Sequence, residues 1–191
     1  RFEDPVDFVL AIDGRDNSRL LVQERYEVLR AMFYHETHDA DAYLDPPDAD
    51  TPLFKPISLM LQTATPLLTG NWQASSETYE TGDLAYGNAN PAAPDYDSLA
   101  DFIFAGDYVE LKLPWQLLNF SDPSRMTIHD DYYENYGVDY ITIDTMYLGL
   151  TDGAAQERTP LYPAALKGWG NTVSYHERLK PSYYILQKLW Q

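Results

Sequence analysis

Polar and apolar residues alternate most clearly in the segment Tyr108–Leu113. Its even-numbered positions are Tyr, Glu and Lys, and its odd-numbered positions are Val, Leu and Leu. This pattern predicts a β-strand with one face in water and the other on an apolar core. Pro114 ends the ladder because proline has no N–H to donate, and the apolar residues Trp115–Leu118 then pack as a plug before the turn Ser121–Ser124.

Similar patterns predict further strands, bounded by residues that favour turns. They are Val6–Ile12, Ser18–Gln23, Ile57–Thr63, Glu77–Tyr86 and Ile141–Leu150, while Leu99–Phe104 is a short apolar piece that leads into the Tyr108–Leu113 strand. Gly82 has no side chain to pack, which predicts a β-bulge in the fourth of these segments. Apolar residues spaced by four, three and four predict a short helix over Glu24–Phe33, and the amphipathic tail Ser174–Gln191 predicts a C-terminal helix.

Strands separated by turn-rich loops predict a mainly β protein, an antiparallel β-sandwich of jelly-roll type. The helices are then one or two short peripheral elements, including the C-terminal one. No repeat and no linker interrupts residues 1–191, so we expect a single domain. Because the chain begins at Arg1, we expect it to be a piece of a longer polypeptide.

The strongly acidic charge of the chain limits the classes of partner that it can bind. It carries 30 acidic and 13 basic Lys and Arg residues, a net charge of −17, which repels nucleic-acid backbones and anionic lipids. No apolar run is long enough to span a bilayer, so we expect no direct membrane insertion by this fragment. Cysteine is absent, which excludes thiol catalysis, disulfides and cysteine-bound zinc.

No local motif indicates catalysis. The chain lacks a Gly-x-Ser-x-Gly elbow and the glycine patterns that bind phosphates or dinucleotides. Glu110 with Glu77, Glu80 or Asp83 is the one carboxylate arrangement that suggests a glycoside hydrolase. Ordinary cross-strand charge pairing explains the same residues, so we expect no catalytic residues and no enzyme activity in this fragment.

Two acidic clusters are candidates for a bound cation. Asp39, Asp41 and Asp45 imitate the start of a calcium-binding loop, but Leu44 stands where that loop needs glycine. Asp130 and Asp131, with His129 and Glu134, form the second cluster. Oxygen ligands favour calcium, the only cofactor we expect, and solvated loop acids are the alternative for both clusters.

Exposed aromatic residues are the candidates for ligand binding, since sugar rings stack on indole and phenol faces. Trp72 lies in a polar loop and Trp169 lies between two glycines, so neither has neighbours that bury it. Tyr132 and Tyr133 are expected to line the same edge. The alternative is that the two tryptophans cover the ends of the core.

The run Asp107–Ser124, with Ile12-Asp13-Gly14, resembles the β-sandwiches of carbohydrate-binding-module family 9, in which a strand ends in a Pro-Trp step followed by an apolar plug. Four other stretches resemble the C-terminal domain of large surface or membrane-associated proteins of anaerobic Gram-positive bacteria, often labelled glycosyltransferase- or glycoside hydrolase-associated. They are Asp16–Val22, Leu99–Phe102, His129–Tyr133 and Ser174–Leu179. The paired stacking tryptophans of the family 9 modules have no match, so their binding residues do not carry over.

These observations together give two hypotheses. The first is a non-catalytic, extracellular or cell-surface accessory domain of a bacterial carbohydrate-active or envelope protein, which binds or positions polysaccharide. The second is a structural module that binds no ligand and packs against an upstream module of the same polypeptide through its tyrosine-rich loops and C-terminal helix. A glycoside hydrolase is the third and weakest alternative.

Overall fold

The protein is mainly β, with antiparallel strand pairs and a short helical turn at residues 186–189. The computed structural model describes residues 2–27, 47–62, 65–66, 73–130, 133, 139–152, 158–170 and 186–190. Within these ranges the strands are β1 (Phe8–Ala11), β2 (Arg19–Gln23), β3 (Phe54–Pro56), β4 (Ser58–Gln62), β5 (Thr65–Pro66), β6 (Gln73–Ala74), β7 (Glu77–Glu80), β8 (Phe102–Ala105), β9 (Tyr108–Leu111), β10 (Phe120–Asp122), β11 (Thr127–His129), β12 (Tyr140–Thr142), β13 (Thr145–Leu148) and β14 (Tyr162–Ala165).

The N-terminal sheet has the order β1-β2-β3. The predicted hairpin over its first two strands is confirmed, and the Ser18 hydroxyl closes the turn by donating to the Gly14 carbonyl at 2.7 Å. Leu20 and Val22 of β2 are buried. The helix predicted after β2 is wrong at its start, because the described residues form only a 3₁₀ turn over Glu24–Tyr26. The remainder of that predicted helix lies outside the described residues.

The chain from β3 through Ile57 to β4 contributes strands to two sheets. β3 pairs with β2, and β4, which follows after Ile57, pairs with β7. The amides of Thr81 and Gly82 both donate to the Ile57 carbonyl, at 2.8 and 3.2 Å. The register shift of the β4–β7 pair lies between Met60 and Gln62, whereas Gly82, where the bulge was predicted, follows the end of β7. The Gly82 carbonyl then accepts from the Leu20 amide at 2.8 Å, which brings the end of β7 onto β2.

The strand predicted from Tyr108 is confirmed as β9, and it pairs antiparallel with β8, with Phe104 opposite Val109 in the register. Phe102 is buried, and the rings of Tyr86 and Phe104 pack against it with centroids 5.4 and 5.7 Å away. The face of β9 that was predicted to lie on a core is nevertheless exposed at Val109 and Leu111. Alternation identifies which residues share a face, but it does not specify whether another layer covers that face.

The C-terminal half contains the sheet β10-β11-β12 and the pair β13-β14. The apolar plug is confirmed in part: Trp115–Leu118 form a 3₁₀ turn, and the Trp115 ring packs edge-on against the buried Phe120 at 4.7 Å. The single strand predicted over Ile141–Leu150 is two strands, β12 and β13. They separate at Ile143, whose amide donates to the Met126 carbonyl at 2.9 Å.

Asp7, next to β1, gives a prediction on pH dependence. Its backbone carbonyl accepts from the Gln23 amide at 2.7 Å, and desolvation raises the pKa of its carboxyl above the usual 3.8, although the residue as a whole is exposed. A raised carboxyl pKa leaves stability unaffected below pH 3.8 and lowers it as the pH rises through the folded-state pKa. Asp7→Asn should therefore raise Tm at pH 7 by about 1–2 °C, because solvent limits the penalty at an exposed group.

Thermal melts of Asp7→Asn at pH 7 and at pH 3.5 check this. We expect the gain at pH 7 to disappear at pH 3.5. Asp16→Asn, in the exposed β1–β2 turn, makes the same change in net charge and is the control. An equal gain in both variants would mean that net charge, and not desolvation at Asp7, is responsible.

Candidate functional site

A tightly bonded turn, Asp122–Met126, forms the base of the candidate site. The amide and the hydroxyl of Ser124 both donate to Oδ1 of Asp122, at 3.0 and 2.6 Å, and Asp122 thereby caps the 3₁₀ turn that Pro123 begins. The Ser124 hydroxyl is the main reason that the pKa of Asp122 lies below its usual 3.8. Met126 leaves the turn with φ +55° and a buried side chain, so the turn is anchored in the core.

Trp169 lies in a loop, residues 166–170, that is fixed to this turn. At the start of the loop the Leu166 amide donates to the Asp144 carbonyl at 2.7 Å, which continues the β13–β14 ladder. At its end the Gly170 amide donates to the Ser124 carbonyl at 3.0 Å, with Gly170 at φ +65°. A Cβ atom on Gly168 would lie 2.5 Å from the same carbonyl, so only glycine allows this approach.

The Trp169 loop holds an aromatic ring at the surface. Its two ends are bonded and its second residue, Lys167, is exposed. The Trp169 residue between the two glycines is 46% exposed. A large ring on a bonded loop loses little conformational freedom when a ligand stacks on it, which is the physical requirement for a sugar-binding platform. The two flanking glycines, from which the sequence predicted an unburied Trp169, are the residues that position it.

Tyr133 has a different environment. The guanidinium of the buried Arg25 lies 5.6 Å from the Tyr133 ring centroid and donates to the Pro47 carbonyl at 2.8 Å. Tyr133 itself is partly buried. The described contacts of Tyr133 thus connect it to Arg25, whereas those of the Trp169 loop connect it to Ser124, and the two predicted ligand-binding residues are not brought together by these contacts.

The metal-site predictions remain predictions. Asp130 follows β11, and its amide donates to the Asp139 carbonyl at 3.0 Å. Among the described residues no group of three or more His, Asp or Glu side chains is placed to hold a metal ion. The other predicted site residues lie outside the described ranges: Trp72, Tyr132, Asp39, Asp41, Asp45 and Asp131.

Three of the carboxylates considered for glycoside hydrolysis lie on the strands β7 and β9. Glu110 lies on β9 opposite Ile103 and is exposed. Glu80 lies 3.4 Å from Arg19, an ion pair between β7 and β2. Glu77 is exposed at the start of β7, opposite Gln62. The ion pair of Glu80 joins β7 to β2, which are not paired with each other in a sheet.

Two buried residues that hold loops in place, Ser124 and Gln23, were not predicted from the sequence. Ser124 is buried in the turn under the Trp169 loop, and 45 residues separate it from Trp169, so no local pattern could link them. Gln23 is buried too, and its side-chain amide donates to the Ala49 carbonyl at 3.0 Å. Gln23 and Arg25 therefore attach residues 47–49 to the N-terminal sheet. Alternation along β2 does not predict this, because Val22 and Gln23 are adjacent and both are buried.

No family model, curated protein or solved structure matches this chain. In the described part of the chain, no helix has the length and apolar character needed to cross a membrane.

Proposed function

We propose that this chain is a non-catalytic accessory module of an extracellular or cell-surface carbohydrate-active or envelope protein, and that it binds polysaccharide on Trp169. The observation that carries the proposal is the half-exposed indole held on a loop bonded at both ends. Sugar rings present apolar C–H faces that stack on such a ring, while polar groups beside it pair with the hydroxyls.

The test is a screen of the purified chain against a broad polysaccharide panel, with and without calcium. We expect selective binding that Trp169→Ala abolishes, because the stacking ring is removed while the glycine-held loop remains. Trp190→Ala removes another exposed tryptophan, in the C-terminal segment, and should bind as the wild type does. Binding unchanged in Trp169→Ala would contradict the assignment of Trp169, and a folded chain that binds no polysaccharide would contradict the function itself.

Calcium in the same screen tests the acidic clusters. Binding that requires calcium, and that is lost in Asp130→Asn, would support a cation near the end of β11. Equal binding with and without calcium would argue against a cation that supports binding at Asp130.

A second candidate function is a packing module with no ligand of its own. The observation that favours it is the apolar C-terminal segment, in which Leu189 is 73% exposed and Trp190 is 83% exposed. Exposed apolar residues concentrated on one short segment are typical of a surface that another chain or domain covers. Self-association through this segment, lost in Trp190→Ala and kept in Trp169→Ala, would support packing. A chain that remains monomeric at all concentrations in light scattering would weaken it.

A further inference from the structure

Two basic residues lie beside the Trp169 loop in a chain that is otherwise strongly acidic. Lys167 precedes Trp169 by two residues and is exposed. Arg125 lies across the loop, where a Cβ atom on Gly168 would be 3.3 Å from the Arg125 Cα. The chain has 30 acidic against 13 basic Lys and Arg residues, so two basic residues at the Trp169 loop differ from the average composition of the chain.

Two acidic residues, Asp122 in the turn and Asp144 at the start of the loop's ladder, have partners of their own. Oδ1 of Asp122 accepts from the Ser124 amide and hydroxyl, and its Oδ2 lies 3.8 Å from Nε of Arg125. Oδ1 of Asp144 accepts from the Thr145 hydroxyl at 2.9 Å. The Asp122 carboxylate therefore stabilises the turn, and the Asp144 carboxylate accepts a hydrogen bond at the start of β13.

The basic groups remain accessible. The Arg125 side chain is 75% exposed, and its contact with Asp122 is made through Nε, so the outer edge of the guanidinium remains for a ligand. No carboxylate among the described residues forms an ion pair with Lys167. A guanidinium is suited to a carboxylate because its N–H groups match the two oxygens.

From these placements we infer that the ligand of the Trp169 loop is an acidic glycan whose sugar rings carry a carboxylate, as uronic acids do. Trp169 stacks on the ring, and Arg125 and Lys167 pair with the carboxylate. This inference rests on the proposed polysaccharide-binding function and names its ligand class. The net charge of −17 opposes a polyanion, but salt at physiological strength screens the exposed charges that lie farther than about 8 Å from the bound carboxylate.

The experiment compares polygalacturonate with its fully methyl-esterified form, two polymers that differ in the charge of the carboxyl group. The probe is the whole chain, with affinity measured by calorimetry at low and at physiological salt. We expect the acid form to bind about fivefold more tightly or better, as an exposed ion pair and its hydrogen bonds allow. The preference is expected at physiological salt, where the charges elsewhere on the chain are screened.

Lys167→Gln and Arg125→Gln should each remove most of this preference while weakening the esterified form little. Lys188→Gln removes one positive charge in the C-terminal segment and is the matched control, which should keep the preference. Because Arg125 contacts Asp122 in the turn, its variant is first checked by thermal melting. Lys167→Gln changes no described ion pair and keeps the test decisive if Arg125→Gln unfolds.

The outcomes separate the two proposals. Equal affinity for both polymers, with binding abolished by Trp169→Ala, would overturn the acidic-glycan inference and support Trp169 as a neutral sugar platform. A preference that persists in both basic-residue variants would overturn the assignment of these residues. Absence of binding to every glycan by the folded chain would overturn the proposed function and the inference with it.

Discussion

Gly82→Ala is expected to lower the free energy of unfolding by about 3 kcal/mol, the largest stability loss among the substitutions considered. Gly82 is buried, and a Cβ atom there would overlap the Leu20 carbonyl oxygen. That oxygen belongs to β2, and the neighbouring Leu20 amide donates to the Gly82 carbonyl. Since the obstructing atom is backbone, relief requires β2 and the end of β7 to separate.

Chemical denaturation of the variant measures this loss, and thermal melting should show a Tm roughly 10 °C lower. Gly106→Ala is the matched control, because Gly106 has φ +65° and nothing within 4 Å of an added Cβ. The control should lose only the strain of a left-handed alanine, about 1 kcal/mol. If Gly82→Ala lost no more than Gly106→Ala, close packing between β2 and β7 would be the wrong explanation.

Gly168→Ala is expected to weaken polysaccharide binding about tenfold while lowering Tm only a few degrees. An added Cβ would lie 2.5 Å from the Ser124 carbonyl oxygen and 3.3 Å from the Arg125 Cα, so the loop has to move away from the turn. The hydrogen bond from the Gly170 amide to Ser124 is then lost, and Trp169 is no longer held in one position.

Hydrogen exchange of the Gly170 amide gives a measurement that does not depend on any sugar. We expect faster exchange in Gly168→Ala and little change in Gly170→Asn, because asparagine tolerates the left-handed backbone of that position. Unchanged exchange in Gly168→Ala would mean that the loop does not depend on this close approach. Faster exchange with unchanged affinity would instead remove the link between loop position and binding.

The sequence predicted the mainly β class and the β1–β2 hairpin because these depend on local information. Alternation and a turn lie within a few residues of each other in β1–β2 and in β8–β9. The strand β3 was missed because Phe54–Pro56 is short and ends in proline, within a segment that looks like a loop. Its pairing with β2 joins residues more than 30 positions apart, and no local pattern encodes that contact.

In the candidate site, too, local features were predictable from the sequence and long-range contacts were not. Two glycines around Trp169 were sufficient to predict a tryptophan that its neighbours do not bury. The atom that fixes the loop, the Ser124 carbonyl, was not predictable, since any backbone carbonyl could have accepted that bond. The buried face expected for β9 failed for a related reason: covering a face is a property of packing between elements. The packing of the separate sheets into a sandwich remains a prediction.

The Ile57 carbonyl makes the β1-β2-β3 sheet and the β4-β7 pair thermodynamically dependent on each other. Both amides at the end of β7 bond to this one carbonyl, on the stretch of chain that continues from β3 into β4. Opening either group of strands exposes the bonds of the other, so the two should belong to one cooperative unit, or foldon. A spectroscopic reporter placed in β1 would then record the same melting transition as one placed in β7.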